Sequence, residues 1–213
     1  MLPLVRNQMR MKWLVLFFCR AQRAAQVAVC ALVFALGVSG NPGLKVRDVA
    51  GVEREPLKVA AGHVEALIFI DNTCPVSNYY SHEIRRICDA YAKRGAGCTL
   101  VYVDPTLTDE KAKQHAAEYG HGEYPKIVDR AHALVAATGA KITPEAVVVR
   151  PGGAIAYRGR IDNLYADFGK PRAAATEHDL RDALDDVLAG KPVPNPETKP
   201  VGCYIPALKF YGR

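Results

Sequence analysis

The sequence has little net charge once its first 40 residues are set aside. Its 213 residues include 28 lysines and arginines and 22 aspartates and glutamates, which gives a formal net charge of +6. Five of the basic residues and none of the acidic ones lie in residues 1–40, so the remainder carries about +1. A chain so close to neutral lacks the basic patch that nucleic-acid binding requires, and we expect no nucleic-acid partner.

The start of the chain also lacks an apolar run as long as the roughly 20 residues that a membrane-spanning helix needs. Its apolar run Val27–Val38 follows a basic stretch and precedes the small residues Ser39 and Gly40, which is the layout of an export signal. We predict that residues 1–40 are a signal peptide and that the protein is exported to the periplasm or another extracytoplasmic location. The alternative is an uncleaved signal that anchors the protein, and we expect no other contact with a membrane.

Cysteine is scarce, with six in the whole chain, and cleavage of the signal would remove Cys19 and Cys30. In an oxidising compartment the remaining thiols seldom all stay free. Four cysteines allow three pairings in two bonds. The four that remain are Cys74, Cys88, Cys98 and Cys203.

The sequence after the signal alternates short apolar strands with amphipathic helices and contains no internal repeat. Residues 66–70 predict a strand that ends just before Cys74, residues 80–91 predict a helix, and residues 98–103 predict a second strand. Further elements are predicted as helices at 108–119 and 131–137, a hairpin of strands at 146–149 and 154–157, and a last helix from Thr176, with Asp179 as its capping-box partner, to Gly190.

This order of elements predicts an α/β fold. Parallel strands joined through helices and followed by an antiparallel hairpin give a mixed central β-sheet covered by helices on both faces. We divide the chain into the signal at 1–40, one domain at 41–190 and a proline-rich extended tail at 191–213, which carries Cys203.

Cys74 is the residue whose position most favours chemistry. A cysteine at the first turn of a helix, directly after a buried strand, lies where free backbone amides and the helix dipole favour the thiolate. Its polar neighbours, among them Asn72, Thr73 and Ser77, indicate an exposed turn, so we predict that Cys74 is an exposed nucleophile. A buried, unreactive cysteine is the alternative.

Four segments carry a resemblance to a known family. They are residues 69–77 with the Cys74-Pro75-Val76-Ser77 helix start, residues 101–104, residues 142–145 with Thr143-Pro144, and the glycine pair 152–153. Together they resemble the thioredoxin-like superfamily, and more closely its redoxin branch, the alkyl hydroperoxide reductase and thiol-specific antioxidant type. The resemblance covers residues 45–190. It implies a thioredoxin-like fold and an oxidoreductase activity in cell redox homeostasis or antioxidant defence.

The resemblance also implies which residues form the substrate-binding surface beside the reactive thiol. In the superfamily the proline that corresponds to Pro144 follows a cis peptide bond and packs against the reactive cysteine. The backbone before such a proline can pair with an extended thiol substrate. The implied substrate-binding residues around Cys74 are Pro75, Ser77, Thr143 and Pro144.

The sequence departs from each well-known mechanism of these relatives. Ser77 replaces the second cysteine of the dithiol members, and Asp71 replaces the threonine with which peroxidatic members bind peroxide. Ile68 stands where thioredoxins carry a buried acid. Asn78 replaces the second cysteine of the exported copper-delivery members. None of these mechanisms can therefore be assigned in full to this sequence.

A resolving thiol must then come from another part of the chain. Cys88 lies 14 residues along the helix that Cys74 starts, about 21 Å away, and cannot reach it. Cys88 and Cys98 are candidates for a structural disulfide, with two buried free thiols as the alternative. Cys203, in the tail, is the candidate resolving cysteine, unless it only staples the tail or links two chains.

The sequence shows no metal or cofactor site. No pair of histidines has the spacing of a dedicated metal site, and His115 and His132 are assigned structural roles, so we expect no metal and no cofactor. We predict an extracytoplasmic thiol oxidoreductase that acts on a thiol or disulfide protein substrate, with an external thiol as reductant. The alternatives are a peroxiredoxin-like peroxide reductase and a non-catalytic module that binds a metal or a protein.

Overall fold

The computed structural model describes residues 43–212. The predicted signal peptide at 1–40 lies outside the described residues, together with Cys19 and Cys30. Among residues 43–212 there is no helix with the length and apolar character needed to cross a membrane.

The described residues form strands and helices in the predicted alternation. The strands are β1 (Val46–Arg47), β2 (Glu53–Arg54), β3 (Val64–Ile70), β4 (Ala96–Tyr102), β5 (Lys126–Val128), β6 (Ile142–Thr143), β7 (Glu145–Val149), β8 (Ile155–Gly159), β9 (Tyr165–Asp167), β10 (Lys170–Pro171) and β11 (Cys203–Tyr204). The helices are α1 (Pro75–Tyr79), α2 (Ser81–Ala92), α3 (Asp109–Glu118), α4 (Ala133–Thr138) and α5 (Asp179–Leu188), followed by a 3-10 turn at Leu208–Tyr211.

The central sheet has five strands in the order β5-β4-β3-β7-β8. Strands β3, β4 and β5 are parallel because helices connect them, whereas β7 and β8 form an antiparallel hairpin on the other side of β3. The predicted α/β fold with a mixed central sheet is confirmed.

Two apolar layers cover the two faces of this sheet, because alternate residues of β3 point to opposite sides. Ala66, Ile68 and Ile70 pack in the cluster that includes the apolar residues of α2 and α5. Leu67 and Phe69 pack in the other cluster, which includes residues of the N-terminal segment and of α4. The sheet is therefore buried between two apolar layers.

The predicted start of the last helix was wrong. The helix begins at Asp179 rather than Thr176, and no side chain caps it. Thr176 instead exchanges hydrogen bonds with Asn163, while the Asp179 carboxylate pairs with Arg160. Tertiary partners have taken both side chains that a capping box would use.

The disulfide candidates lie together at the end of α2. The sulfur atoms of Cys88 and Cys98 are bonded, 1.97 Å apart, with their Cα atoms 5.7 Å apart. The other two cysteines among the described residues, Cys74 and Cys203, are free thiols.

The tail beyond residue 190 runs back along the domain. The backbone of residues 196–198 hydrogen-bonds to Arg158 at the outer edge of β8. Gly159 makes this approach possible, because a Cβ there would lie 2.1 Å from the hydroxyl of Thr198 and 2.6 Å from its carbonyl oxygen. Further on, β11 pairs antiparallel with β6, with Cys203 opposite Thr143. The tail is extended, as predicted, but it is docked on the domain.

Candidate active site

The site lies where β3 ends and α1 begins. Strand β7 runs antiparallel to β3 with Phe69 opposite Glu145, so the residues just before β7 lie beside the chain just after β3. This register brings Thr143 and Pro144 next to Cys74. The Thr143-Pro144 peptide bond is cis, and the Cys74 thiol donates a hydrogen bond to the carbonyl oxygen of Thr143 over 3.2 Å.

Cys74 also caps α1. Its sulfur accepts a hydrogen bond from the backbone amide of Ser77 at 3.5 Å, and Pro75 occupies the first helical position, where no amide donor is lost. Asp71 supports the turn by accepting hydrogen bonds from the backbone and hydroxyl of Thr73, both at 2.7 Å. The turn is thus held by its own polar side chains.

The prediction that Cys74 is exposed was wrong. Only 2% of its surface is accessible, and Ser77 and Thr143 are equally buried, while Pro75 is exposed. The tail contributes to this burial, because β11 pairs with β6 and Cys203 packs against the apolar cluster that contains Cys74. The polar residues of the turn do not by themselves indicate that the tail packs on Cys74.

The structure places Cys203 against the apolar cluster that contains Cys74, where each thiol shifts the pKa of the other. Burial acts to raise the pKa of Cys74, but hydrogen bonds from Cys203, from the Ser77 backbone and from the hydroxyls of Ser77 and Thr143 outweigh it. The pKa of Cys74 is therefore lower than that of an ordinary cysteine. A cysteine with a lowered pKa is more often present as the nucleophilic thiolate.

Cys203 has the opposite electrostatics. Burial, the hydrogen bond to Cys74 and the negative charges of Cys74 and Asp71 together raise the pKa of Cys203 to about 12. Cys74 is thus the more acidic thiol of the pair and Cys203 the less acidic one, which is the asymmetry expected of an attacking and a resolving thiol.

A buried polar chain that the sequence did not reveal supports the active-site turn. Asn78 donates from its side-chain amide to the backbone carbonyl of Asn72 at 3.1 Å, and its amide oxygen lies 3.0 Å from Nε2 of His115. The other ring nitrogen of His115 lies 3.0 Å from the hydroxyl of Tyr102. Burial lowers the pKa of His115, which favours the neutral ring, and Nε2 is the donor because the amide oxygen of Asn78 can only accept. The spacing of residues 72, 78, 102 and 115 in the sequence does not predict these hydrogen bonds.

The structure does not bring the other predicted residues into the site. The Cys88–Cys98 disulfide lies at the far end of α2. His132 donates a hydrogen bond through Nε2 to the backbone carbonyl oxygen of Val103 over 2.8 Å, a structural contact. Among the described residues no group of three or more histidines, cysteines or acidic residues could hold a metal ion.

A large cleft lies beside the site, not at it. It has a volume of about 1130 Å³ and is lined by residues of α1 and α2, among them Tyr79 and Tyr80, and by Leu164. Cys74 and Cys203 do not line it.

No protein-family model and no curated protein matches the sequence. An uncharacterized conserved protein from Geobacillus kaustophilus is 26% identical, with a TM-score of 0.69 over 82% of this chain and 93% of that one. A hypothetical protein from Sinorhizobium meliloti 1021 is 24% identical, with a TM-score of 0.66 over 81% of this chain and 94% of that one. A secreted disulfide oxidoreductase from Mycobacterium tuberculosis is 13% identical, with a TM-score of 0.48 over 69% of this chain and 95% of that one.

These comparisons do not single out the alkyl hydroperoxide reductase and thiol-specific antioxidant type, which stays a prediction. The fold is established by the strand order, by the helix that starts at Cys74 and by the β6–β7 segment beside it. The chain thus has the thioredoxin-like fold that the sequence predicts, with the helix start at Cys74 beside a cis proline.

Proposed function

We propose that the protein is an extracytoplasmic thiol oxidoreductase in which Cys74 attacks a disulfide and Cys203 resolves the product. The contact between the two thiols, with the pKa of Cys74 lowered and that of Cys203 raised, carries the proposal. The reduction of a protein disulfide uses both thiols and needs no metal or cofactor.

In the first step the Cys74 thiolate attacks one sulfur of the substrate disulfide. A bond forms between Cys74 and that sulfur, and the second substrate sulfur leaves as a thiolate and takes a proton from solvent. The Cys203 thiol then loses its proton and attacks the sulfur of Cys74, which releases the first substrate sulfur as a thiol. The substrate gains two electrons, and the protein is left with a Cys74–Cys203 disulfide.

The mixed disulfide itself activates Cys203. Burial is the largest cause of the raised Cys203 pKa, but the hydrogen bond to Cys74 and the charge of Cys74 also contribute. Once Cys74 is bonded to substrate, its negative charge is gone and that part of the shift disappears. An external thiol reductant then attacks the Cys74–Cys203 disulfide, is oxidised to its own disulfide, and returns both cysteines to the thiol form.

The signal-like sequence at residues 1–40 and the Cys88–Cys98 disulfide support the extracytoplasmic location. Disulfides persist in oxidising compartments and are rare where glutathione and thioredoxin keep thiols reduced. The site itself supports disulfide rather than peroxide as substrate, because the carboxylate of Asp71 occupies the position at which peroxidatic relatives place a neutral hydroxyl donor.

The proposal is tested by following the reduction of a model disulfide and of hydrogen peroxide by the full chain with an external dithiol. We expect turnover of the disulfide and slow turnover of peroxide. Cys74→Ser abolishes turnover, and Cys203→Ser accumulates a mixed disulfide on Cys74. Turnover that survives Cys74→Ser, or a Cys74 pKa near the free value of about 8.5, would instead support a non-catalytic binding module.

A further inference from the structure

The strand β11 occupies the edge of β6 in the manner of a bound peptide. The backbone of Cys203 is paired with Thr143, and the next residue, Tyr204, is paired with Ile142. The hydroxyl of Thr143 donates to the carbonyl of Cys203 over 3.4 Å, and the amide of Ile205 donates to the carbonyl of Lys141 over 2.9 Å. An extended segment thus presents a cysteine to Cys74 by strand addition.

Gly202, just before that cysteine, makes the closest approach of the tail to the domain. A Cβ atom on Gly202 would lie 2.0 Å from the carbonyl oxygen of Thr143 and 2.8 Å from its carbonyl carbon. Both are backbone atoms, and the same carbonyl oxygen accepts the hydrogen bond of Cys74. The path of β11 against β6 therefore admits only glycine at this position.

The β11 segment is held more weakly than the part of the tail before it. Its strand has two residues, and Tyr204 exposes 82% of its surface. Residues 196–198, by contrast, are tied to β8 by four hydrogen bonds at Arg158 and Arg160, one of them from the Arg158 guanidinium to Glu197. Cys203 and Ile205 pack against the two apolar clusters, so opening the pairing also exposes these two side chains. A pairing of two residues next to an anchored segment still opens at a lower free energy than the whole tail, so β11 can leave while the tail stays attached at residue 198.

We propose that β11 is an internal substitute for the substrate. A protein substrate reaches Cys74 only when residues 201–205 leave the edge of β6, and the substrate segment that replaces them is an extended strand with glycine immediately before its reacting cysteine. This inference rests on the proposed function, since it names the regulation and the substrate class of the same site.

The first test measures access to Cys74 in the full chain carrying Cys203→Ser, which leaves Cys74 as the only thiol at the site. Adding Gly202→Val drives β11 off β6, and we expect the rate of Cys74 alkylation by iodoacetamide, followed by mass spectrometry, to rise by about tenfold or more. Lys199→Ala, an exposed change in the same tail, is the matched control and leaves the rate unchanged. An unchanged rate in the Gly202→Val protein overturns the proposal. If Gly202→Val does not fold, a chain that ends at Lys199 replaces it.

The second test supplies the strand in trans. A peptide of residues 200–206, with thionitrobenzoate bonded to its cysteine, is added to the Gly202→Val, Cys203→Ser protein. The Cys74 thiolate attacks the peptide sulfur, a Cys74–peptide disulfide forms, and coloured thionitrobenzoate is released as the leaving thiolate. We expect this peptide to react about tenfold faster than the same peptide with alanine in place of Gly202.

Equal rates for the two peptides contradict the requirement for glycine. Both tests use proteins without the Cys203 thiol, so they do not depend on whether Cys74 and Cys203 form a disulfide. Failure of the proposed function is seen separately, in the wild-type chain, as the absence of that disulfide after oxidation.

Discussion

Cys203 lies directly opposite Thr143 in the antiparallel pairing of β11 with β6. Side chains of directly opposed residues lie on the same face of a strand pair, so this register fixes the side on which the Cys203 sulfur stands. A shift of one residue would turn that sulfur away from the site. The contact between the thiols of Cys203 and Cys74 therefore depends on a pairing only two residues long.

Cys203→Ala is expected to raise the pKa of Cys74. Burial already acts to raise it, and the substitution removes the thiol hydrogen bond that most opposes this effect. The pKa is read from the pH dependence of Cys74 alkylation, whose midpoint does not depend on how accessible the sulfur is. Cys203→Ser keeps a hydrogen-bond donor and serves as the control, with a smaller shift. A lower midpoint in the alanine variant would contradict the electrostatic account.

Cys74→Ala is expected to lower the pKa of Cys203 from about 12, although burial keeps it above that of an ordinary cysteine. The substitution removes both the hydrogen bond to Cys74 and its negative charge. The alkylation profile of the peptide that contains Cys203, followed by mass spectrometry, reports the change. The same profile in wild-type protein is the reference, and identical midpoints would show that the two thiols do not interact.

Removal of the Cys88–Cys98 disulfide is expected to lower the free energy of unfolding without changing the chemistry of Cys74. The bond links residues 10 apart in sequence, and closing a loop of that size stabilises a protein by about 3 kcal/mol in the chain-entropy view. The double variant Cys88→Ala, Cys98→Ala is compared with wild type by denaturant unfolding. Its Cys74 pKa should equal that of wild type, and a changed value would indicate that the disulfide supports the site.

Glu65→Gln is expected to stabilise the protein above neutral pH. Burial raises the pKa of Glu65 from 4.5 to about 7, against the hydrogen bond from Thr99, so the folded state favours the protonated carboxyl. The free energy of unfolding must then fall as pH rises from 4.5 to about 7. The substitution removes this loss, about 3 kcal/mol at pH 8.

The measurement for Glu65 is denaturant unfolding at a series of pH values. The exposed Glu110 provides the matched control, because Glu110→Gln makes the same chemical change without burial. The difference between Glu65→Gln and wild type should grow from pH 4.5 to 7 and then stay constant. A difference independent of pH would show that Glu65 is not held in its protonated form.

The periodic elements and the helix start at Cys74 could be predicted from the sequence because they depend on local patterns. The apolar run of residues 66–70 and the stripe of α2 lie where the pattern places them. The helix at 176–190 was predicted too long at its start, because Asn163 and Arg160 compete for the side chains that would cap it. Such competition arises only after folding.

The burial of Cys74 could not be predicted, for a related reason. Its cover is a two-residue strand, which has no periodicity, paired with another two-residue strand far away in the sequence. The polar residues around Cys74 correctly indicate a turn, but they do not tell what packs on it. The sequence shows Gly202 next to Cys203 but does not explain why a glycine is there. The structure explains it, because a Cβ atom on Gly202 would clash with the backbone carbonyl of Thr143.

The most direct test of the central claim is the mapping of disulfides by mass spectrometry after mild oxidation of the reduced, folded protein. The account predicts a Cys74–Cys203 disulfide alongside the Cys88–Cys98 one, and its loss on treatment with a dithiol. A Cys74 that never links to Cys203, even after treatment with peroxide, would contradict it.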